Sequence, residues 1–406
     1  MTQTSLSPVR AGAITAVLGL LSLFPPLATD MYLAGIGDLA VAFKASHTAA
    51  ELSLSLFFLG LCAGQLLIGP LTDGFGRKVP LLAGTVLFVL TSIILPLVDD
   101  IAVFNALRFL QAIGASAGMV VGRAIVRDLY HGRRAAQVMT VLVMLLTIGP
   151  VVSPTLGGLL LEAFGWQSIF ATMATIGAVA LILSLLILPE TLPAAKRTGR
   201  PFASGIRTAT SLLSQKGFLL MALVAALSQG GMFAFITGSS GVFQGVYGLS
   251  THGFGLMFAL IAAALIVFGR INTVLLRRFS PSQILRCGLP AFVLFAAVLT
   301  LTSGTDNVWI LAFPLWLTVG MVGLLSANAM AMTMELAENG AGMGSALLGA
   351  IQFAVAFTVS FCVALGGTAT ALPMCLGLLI PALLATVLYF VGDRTATNVT
   401  PHQEAA

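Results

Sequence analysis

Long apolar stretches separated by short polar ones run the length of this 406-residue chain. A helix that crosses a bilayer needs about 20 mainly apolar residues. Twelve stretches are long enough: 11–33, 49–70, 80–98, 102–124, 136–160, 168–188, 218–240, 253–276, 284–303, 308–331, 343–366 and 373–392. The strands of a membrane barrel alternate polar and apolar residues at period two, whereas these runs are continuous. The pattern predicts an all-α membrane protein with twelve transmembrane helices in two six-helix bundles. The longest polar connection defines the halves: an N-terminal bundle at 1–188, a linker at 189–217 and a C-terminal bundle at 218–406.

Composition agrees. Apolar residues make up 58% of the chain and charged residues 8%, with a net charge of +5; soluble domains carry about 25% charged residues. The cations report orientation. With a cytoplasmic N-terminus, all 19 lysines and arginines except Lys44, Arg108, Arg123 and Arg270 fall in or beside cytoplasmic loops. Positive residues mark that side, so both termini and the linker are expected there. No helix face or loop combines these charges with aromatic residues, so nucleic acid is not an expected partner. The four cysteines lie in apolar runs without metal-ligand spacing. No phosphate-binding loop is present, and the chain is read as a non-enzyme needing neither metal nor cofactor. A weak repeat relates Arg77-Lys78 to Arg277-Arg278, as in transporters built from two parallel halves.

Asp30 is the one charged residue between Arg10 and Asp38. Two readings stand. It caps a helix end at the water boundary, or it carries a proton inside the membrane, where ionisable residues are functional by default. Arg108, in the fourth span, is the expected partner of its carboxylate. On these boundaries Asp30 lies about 5 Å and Arg108 about 9 Å below the outer surface, at 1.5 Å per residue. Pro25 and Pro26 remove two amide donors just before Asp30, predicting a kink that orients Asp30 and Tyr32. Arg108, Gln111, Ala115 and Met119 recur at helical spacing on one face, which either lines a substrate cavity or packs. Phe57, Phe233 and Phe235 are candidates for an apolar cavity wall, with core packing as the alternative. Asn328 is polar within an apolar run and is expected to face the interior.

The stretch "GPLTDGFGRK" resembles the major facilitator superfamily motif between helices two and three, through Gly69, Leu71, Asp73, Gly76, Arg77 and Lys78. "LRFLQAIGASAG" resembles the helix-four motif in Arg108, Gln111 and Gly114, with Ala112 in place of a glycine. "GPVVSPTLGG" resembles the helix-five antiporter motif in Gly149, Pro150, Gly157 and Gly158, with Ser153 where a glycine is often found. "DMYL" before Ala34, and "VRDLY" at 126–130, are similar to the Bcr/CflA (bicyclomycin-resistance) drug transporters. The resemblance implies the major facilitator fold and a proton-coupled antiporter of the bacterial inner membrane. Its coupling ion is H+, it works as a monomer among membrane lipids, and it carries a small-molecule substrate. It also implies that Asp73 meets the amino end of the eleventh span, 339–346, as a conformational switch. Arg77 and Asp128 complete the local charge network. Drug-like compounds are the favoured substrates. The alternatives are a specific metabolite, such as a purine, nucleoside or amino-acid derivative, and a non-transporting membrane subunit or sensor.

Overall fold

The structure, a computed structural model, describes residues 8–199, 201–337 and 341–397. The described residues form helices and no strand. The first span is broken into α1 (Pro8–Ser22), α2 (Phe24–Asp30), a 3-10 turn at Leu33–Gly35 and α3 (Ile36–Ala42). Then follow α4 (His47–Phe75), α5 (Lys78–Ile94), α6 (Ile101–Leu129), α7 (Gly132–Phe164) and α8 (Gln167–Ile187). A short helix, α9 (Pro201–Ser214), precedes α10 (Lys216–Ser240), which ends in a π turn at Gly241–Val246. The chain continues through α11 (Thr251–Leu275), α12 (Pro281–Leu301), α13 (Val308–Glu335), α14 (Ala341–Gly366) and α15 (Leu372–Thr397). Among the described residues, twelve helical segments are long and apolar enough to cross a bilayer, in agreement with the twelve apolar runs.

Polar caps set several helix starts. Ser46 accepts the Ala49 amide, Asp100 those of Ala102 and Val103, and Ser250 that of Gly253. Ser280 and Gln283 form a reciprocal capping box at α12. These caps lie just before the apolar runs, so the helices begin earlier than hydropathy alone indicates. Two other differences are larger. The first span continues to Ala42, well beyond the expected end at Leu33. Its single later charge, Asp38, sits at the exposed edge of α3. Asp30 therefore lies farther from the end of its span than expected. The linker also contains a helix, α9, that hydropathy missed. Phe202, Ile206, Ala209 and Leu213 share one helical face, but serines and threonines between them dilute the apolar signal.

The chain divides into two compact units between Ile206 and Arg207. In the first, α6 packs against α4 and α5, α5 against α8, and α2 against α7. In the second, α10 packs against α13, α14 and α15, and α13 against α11 and α12. Glycines allow the closest approaches in the first unit. A Cβ on Gly118 would press on the Leu21 carbonyl, one on Gly60 on the Phe109 carbonyl, and one on Gly64 on Ser116. At Gly157 it would overlap the Met31 carbonyl. Gly122, in contrast, has only Leu18 Cδ2 at 4.0 Å.

Gly157→Ala should therefore destabilise the purified protein by about 1–3 kcal/mol, the usual cost of overpacking. Gly122→Ala should be neutral or slightly stabilising, since alanine favours helix over glycine by about 0.5–1 kcal/mol. Thermal unfolding in detergent distinguishes the two. Equal midpoints for both variants would show that the α2–α7 contact is not tight.

Candidate functional site

Two adjoining prolines create the local geometry. Pro25 and Pro26 stand in the first turn of α2, where their missing amides break no helical bond. Carried on from α1 they would leave two donors missing, so the chain turns at Leu23 and starts afresh. Asp30 is the last residue of α2 and is 1% exposed. The Thr29 hydroxyl donates to Asp30 Oδ1 at 2.8 Å and also lies 3.0 Å from the Pro25 carbonyl. The boundary-cap reading of Asp30 fails, because the residue is buried and its span runs on to Ala42.

Arg108 is also fully buried. It does not reach the Asp30 carboxylate, contrary to the expected pairing. Its Nη2 donates to the Ala28 carbonyl at 2.7 Å, and its Nη1 to Gln111 Oε1 at 2.5 Å. The last carbonyls of a helix lack intrahelical partners and attract cations. The end of α2 therefore offers Arg108 a backbone acceptor beside the acid. Aromatic rings surround the guanidinium: Phe57 at 4.6 Å, Tyr32 at 4.8 Å and Phe170 at 5.8 Å to the ring centroid. Gln111 Nε2 donates onward to Ser92 at 2.8 Å. The Tyr32 hydroxyl bonds the Ala50 carbonyl and Ser53. One cation thus ties together residues of α2, α4, α5, α6 and α8.

The antiporter-motif residues support this arrangement from α7. A Cβ on Gly149 would meet the Pro26 ring, and Gly157 faces Met31. Two glycines thus hold α7 against both sides of Asp30 along the chain. Pro150 lies within α7, and Gly158 is buried. Ala115 is buried and Met119 half-buried on the Arg108 face. In the second unit, Phe235 is fully buried and stacks on Phe258 at 4.6 Å, whereas Phe233 lies 6.1 Å from Phe353. Phe235 thus makes an ordinary core contact. Asn328 donates to Asn272 Oδ1 and to the Leu324 carbonyl, both at 2.7 Å.

A second cluster surrounds the turn from α4 to α5. Gly76 has φ +91°, a left-handed conformation that favours glycine. Arg77 bonds Asp73 Oδ1 at 2.7 Å, the Thr72 hydroxyl at 3.1 Å and Asp128 Oδ2 at 2.9 Å. Burial opposes the Arg77 charge, but the bonds and charges of Asp128 and Asp73 outweigh it and raise its pKa. Gly69 accepts the Thr72 hydroxyl, and Lys78 Nζ donates to the Leu185 carbonyl. Asp73 is half exposed. Its expected contact with 339–346 begins at residues outside the described ones.

Glu190 completes this cluster and was missed in the sequence, where it is one acid in a polar linker. Its carboxylate accepts the amides of Arg77 (2.8 Å), Lys78 (3.2 Å) and Leu192 (2.9 Å), and Arg197 Nη2 lies 3.7 Å away. Burial pushes its carboxyl up, but these amides and the Arg197 charge prevail and hold it below its ordinary 4.5. Glu51 was also missed. It stands near the start of a span, where a charge is usually solvated, yet it is buried.

The sequence profile described as Major Facilitator Superfamily matches residues 13–361. The chain is 32% identical over 358 residues to the "Bicyclomycin resistance protein homolog" of Haemophilus influenzae, covering 88% of this chain and 90% of that one. It is 32% identical over 389 residues to the "Multidrug resistance protein MdtL" of Escherichia coli O157:H7, covering 95% and 96%. The fold matches a crystal structure of a D-xylose-proton symporter with a TM-score of 0.74 at 16% identity, over 94% of this chain and 97% of that one. The chain belongs to the major facilitator superfamily and is a multi-pass membrane protein.

A carboxyl held low by folding stabilises the protein fully above its unfolded value and loses that effect as pH falls through the folded value. Glu190→Gln should therefore lower the melting temperature at neutral pH. Wild type and variant should converge as pH falls below 4.5. A constant difference across pH would show that the charge on Glu190 contributes nothing.

Proposed function

We propose that this transporter exports drug-like small molecules in exchange for protons across the bacterial inner membrane, with both termini in the cytoplasm. The names of its bicyclomycin- and multidrug-resistance relatives support the substrate class. The excess of Lys and Arg in one set of loops supports the orientation. One observation carries the mechanism: Asp30 and Arg108 are both buried near the end of α2, and among the described residues neither is held in an ion pair.

That arrangement leaves Asp30 free to change charge. As a neutral acid it is bonded by Thr29, while Arg108 bonds Ala28 and Gln111 through its two Nη atoms and keeps its Nε without a hydrogen bond. When Asp30 loses its proton, the buried anion gains from an opposite charge. The guanidinium then moves from the Ala28 carbonyl to a carboxylate two residues further along. This exchange alters the contact between α2 and α6. In the first unit the substrate contacts are Tyr32, Phe57, Gln111, Ala115 and Met119; in the second, taken by itself, the candidates are Phe233 and Asn328, while Phe235 belongs to the core through its stacking on Phe258. The loop from Gly69 to Lys78, with Asp73, Gly76, Arg77 and Asp128, is the cytoplasmic conformational switch. Gly149, Pro150, Gly157 and Gly158 hold α7 against the coupling helix. The protein works as a monomer.

Asp30→Asn keeps the shape of the acid but cannot titrate, so proton-driven export should fall to background while the protein remains folded. Arg108→Ala should do the same, and Arg108→Lys should recover only part, because lysine lacks the planar fork of donors. The measurement is uptake of bicyclomycin and a panel of cationic drugs into everted vesicles with an imposed pH gradient. Wild-type uptake by Asp30→Asn would refute the coupling role.

A further inference from the structure

Glu51 is a buried carboxylate that the mechanism above does not use. It lies on the second turn of α4 with 1% of its side chain exposed. Neither carboxylate oxygen has a hydrogen-bond partner. His47, one helical turn earlier, places Nδ1 3.5 Å from Glu51 Oε1, and that nitrogen is also buried without a partner. The two groups face each other as an ion pair at the outer limit of hydrogen-bond distance. The His47 side chain is 31% exposed, so one end of the pair meets solvent and the other is enclosed.

The neighbours supply no competing charge. From the segment after α2, Tyr32 bonds the Ala50 carbonyl and the Ser53 hydroxyl, on either side of Glu51 in sequence. From α6, Arg108 is committed to Ala28 and Gln111 and lies over the Tyr32 ring. Asp100 caps α6, and Asp38 on α3 and Lys44 beyond it are exposed. On α5 the one charged residue is Lys78, at its opposite end. Among the described residues, His47 alone forms an ion pair with Glu51.

An ionised carboxylate buried without donors is costly, and so is a buried polar group left unpaired. One added proton removes both penalties. It arrives from solvent on the imidazole, and His47 Nδ1–H passes it to Glu51 Oε1. The products are a neutral imidazole and a neutral carboxylic acid, whose O–H now donates back to Nδ1. We propose that His47 and Glu51 form a second proton-binding site at the outer end of α4, through which protons enter toward Tyr32, Asp30 and Arg108. This inference rests on the proton-coupled reading for its role in transport, but the site itself is tested independently.

The test uses the full-length protein in phospholipid nanodiscs and pH-difference infrared spectra between about pH 5.5 and about pH 8.5. Ordinary carboxylates, with pKa about 4, stay ionised throughout that range. A carboxylic-acid C=O band should appear that Glu51→Gln removes and Asp30→Asn retains. His47→Gln should shift the midpoint of that band. In vesicles, Glu51→Gln should leave substrate binding intact and shift the dependence of transport on external pH. A spectrum unchanged by Glu51→Gln, or a midpoint unmoved by His47→Gln, would overturn the site. Unchanged external-pH dependence would overturn its role in proton entry. If Asp30→Asn retains proton-driven export, the coupling reading fails while the Glu51 band still decides the site.

Discussion

A guanidinium buried without a carboxylate partner is the constraint on which the first unit depends. Arg108 is fully enclosed, and its charge is met by one backbone carbonyl, one side-chain amide and three aromatic rings. Hydrogen bonds to charged groups contribute about 1.5–3 kcal/mol, and ring faces about 0.5–2 kcal/mol. Together these compete with a desolvation penalty of several kcal/mol per buried ion. The balance is close, so the cation gains by any partner that becomes charged nearby. Under the proposed coupling, the geometry that holds Arg108 in one protonation state of Asp30 is not the best one in the other. That difference is what a coupled transporter needs, because a proton can move a conformational equilibrium only by its differential affinity for two states.

The two units divide the chemistry. The buried charged residues Asp30, Glu51, Arg77 and Arg108 all belong to the first. Among the described residues of the second, the buried polar groups are neutral amides and hydroxyls, including Asn272, Asn328, Gln352, Thr237 and Ser360. Several are satisfied internally: Asn328 by Asn272, and Thr237 with Ser360 at 2.7 Å. Neutral groups of this kind add hydrogen-bonding capacity without committing the site to one substrate charge.

Much of this was legible in the sequence, for reasons that differ by residue. The spans were visible because each is a long apolar run, and the Arg77–Asp73 contact because the two residues stand four apart at the turn from α4 to α5. The Arg108 face followed from spacing along one helix. The acceptor for Arg108 was not legible. Residue types point to Asp30, but the broken end of α2 offers the Ala28 carbonyl, and no side chain announces a free backbone group. Glu190 was hidden for the same reason, since its partners are amides exposed by the turn at Gly76. The α9 helix escaped because its apolar face is diluted by polar residues. Glu51 escaped because burial at the start of a span depends on neighbouring elements, not on its own surroundings in sequence.

The helix that carries Asp30 is only seven residues long and contains two prolines. Isolated helices shorter than about 12–15 residues are marginal even with favourable sequences, so α2 has no independent reason to hold its shape. Its shape comes from outside. At Pro26 and Met31 it is held by the glycines of α7, and at Ala28 by Arg108 of α6. Just before it, the Leu21 carbonyl abuts Gly118 of α6. A small shift of either neighbour therefore moves Asp30 directly, with no stiff helix between to resist it. The converse also holds, since a change of charge at Asp30 acts on both neighbours through one short, externally supported element. The close approach at Gly149 and Gly157 and the buried Arg108 are thus two halves of one mechanical arrangement. Under the proposed coupling, the glycines of α7 matter because they determine where the carboxylate sits.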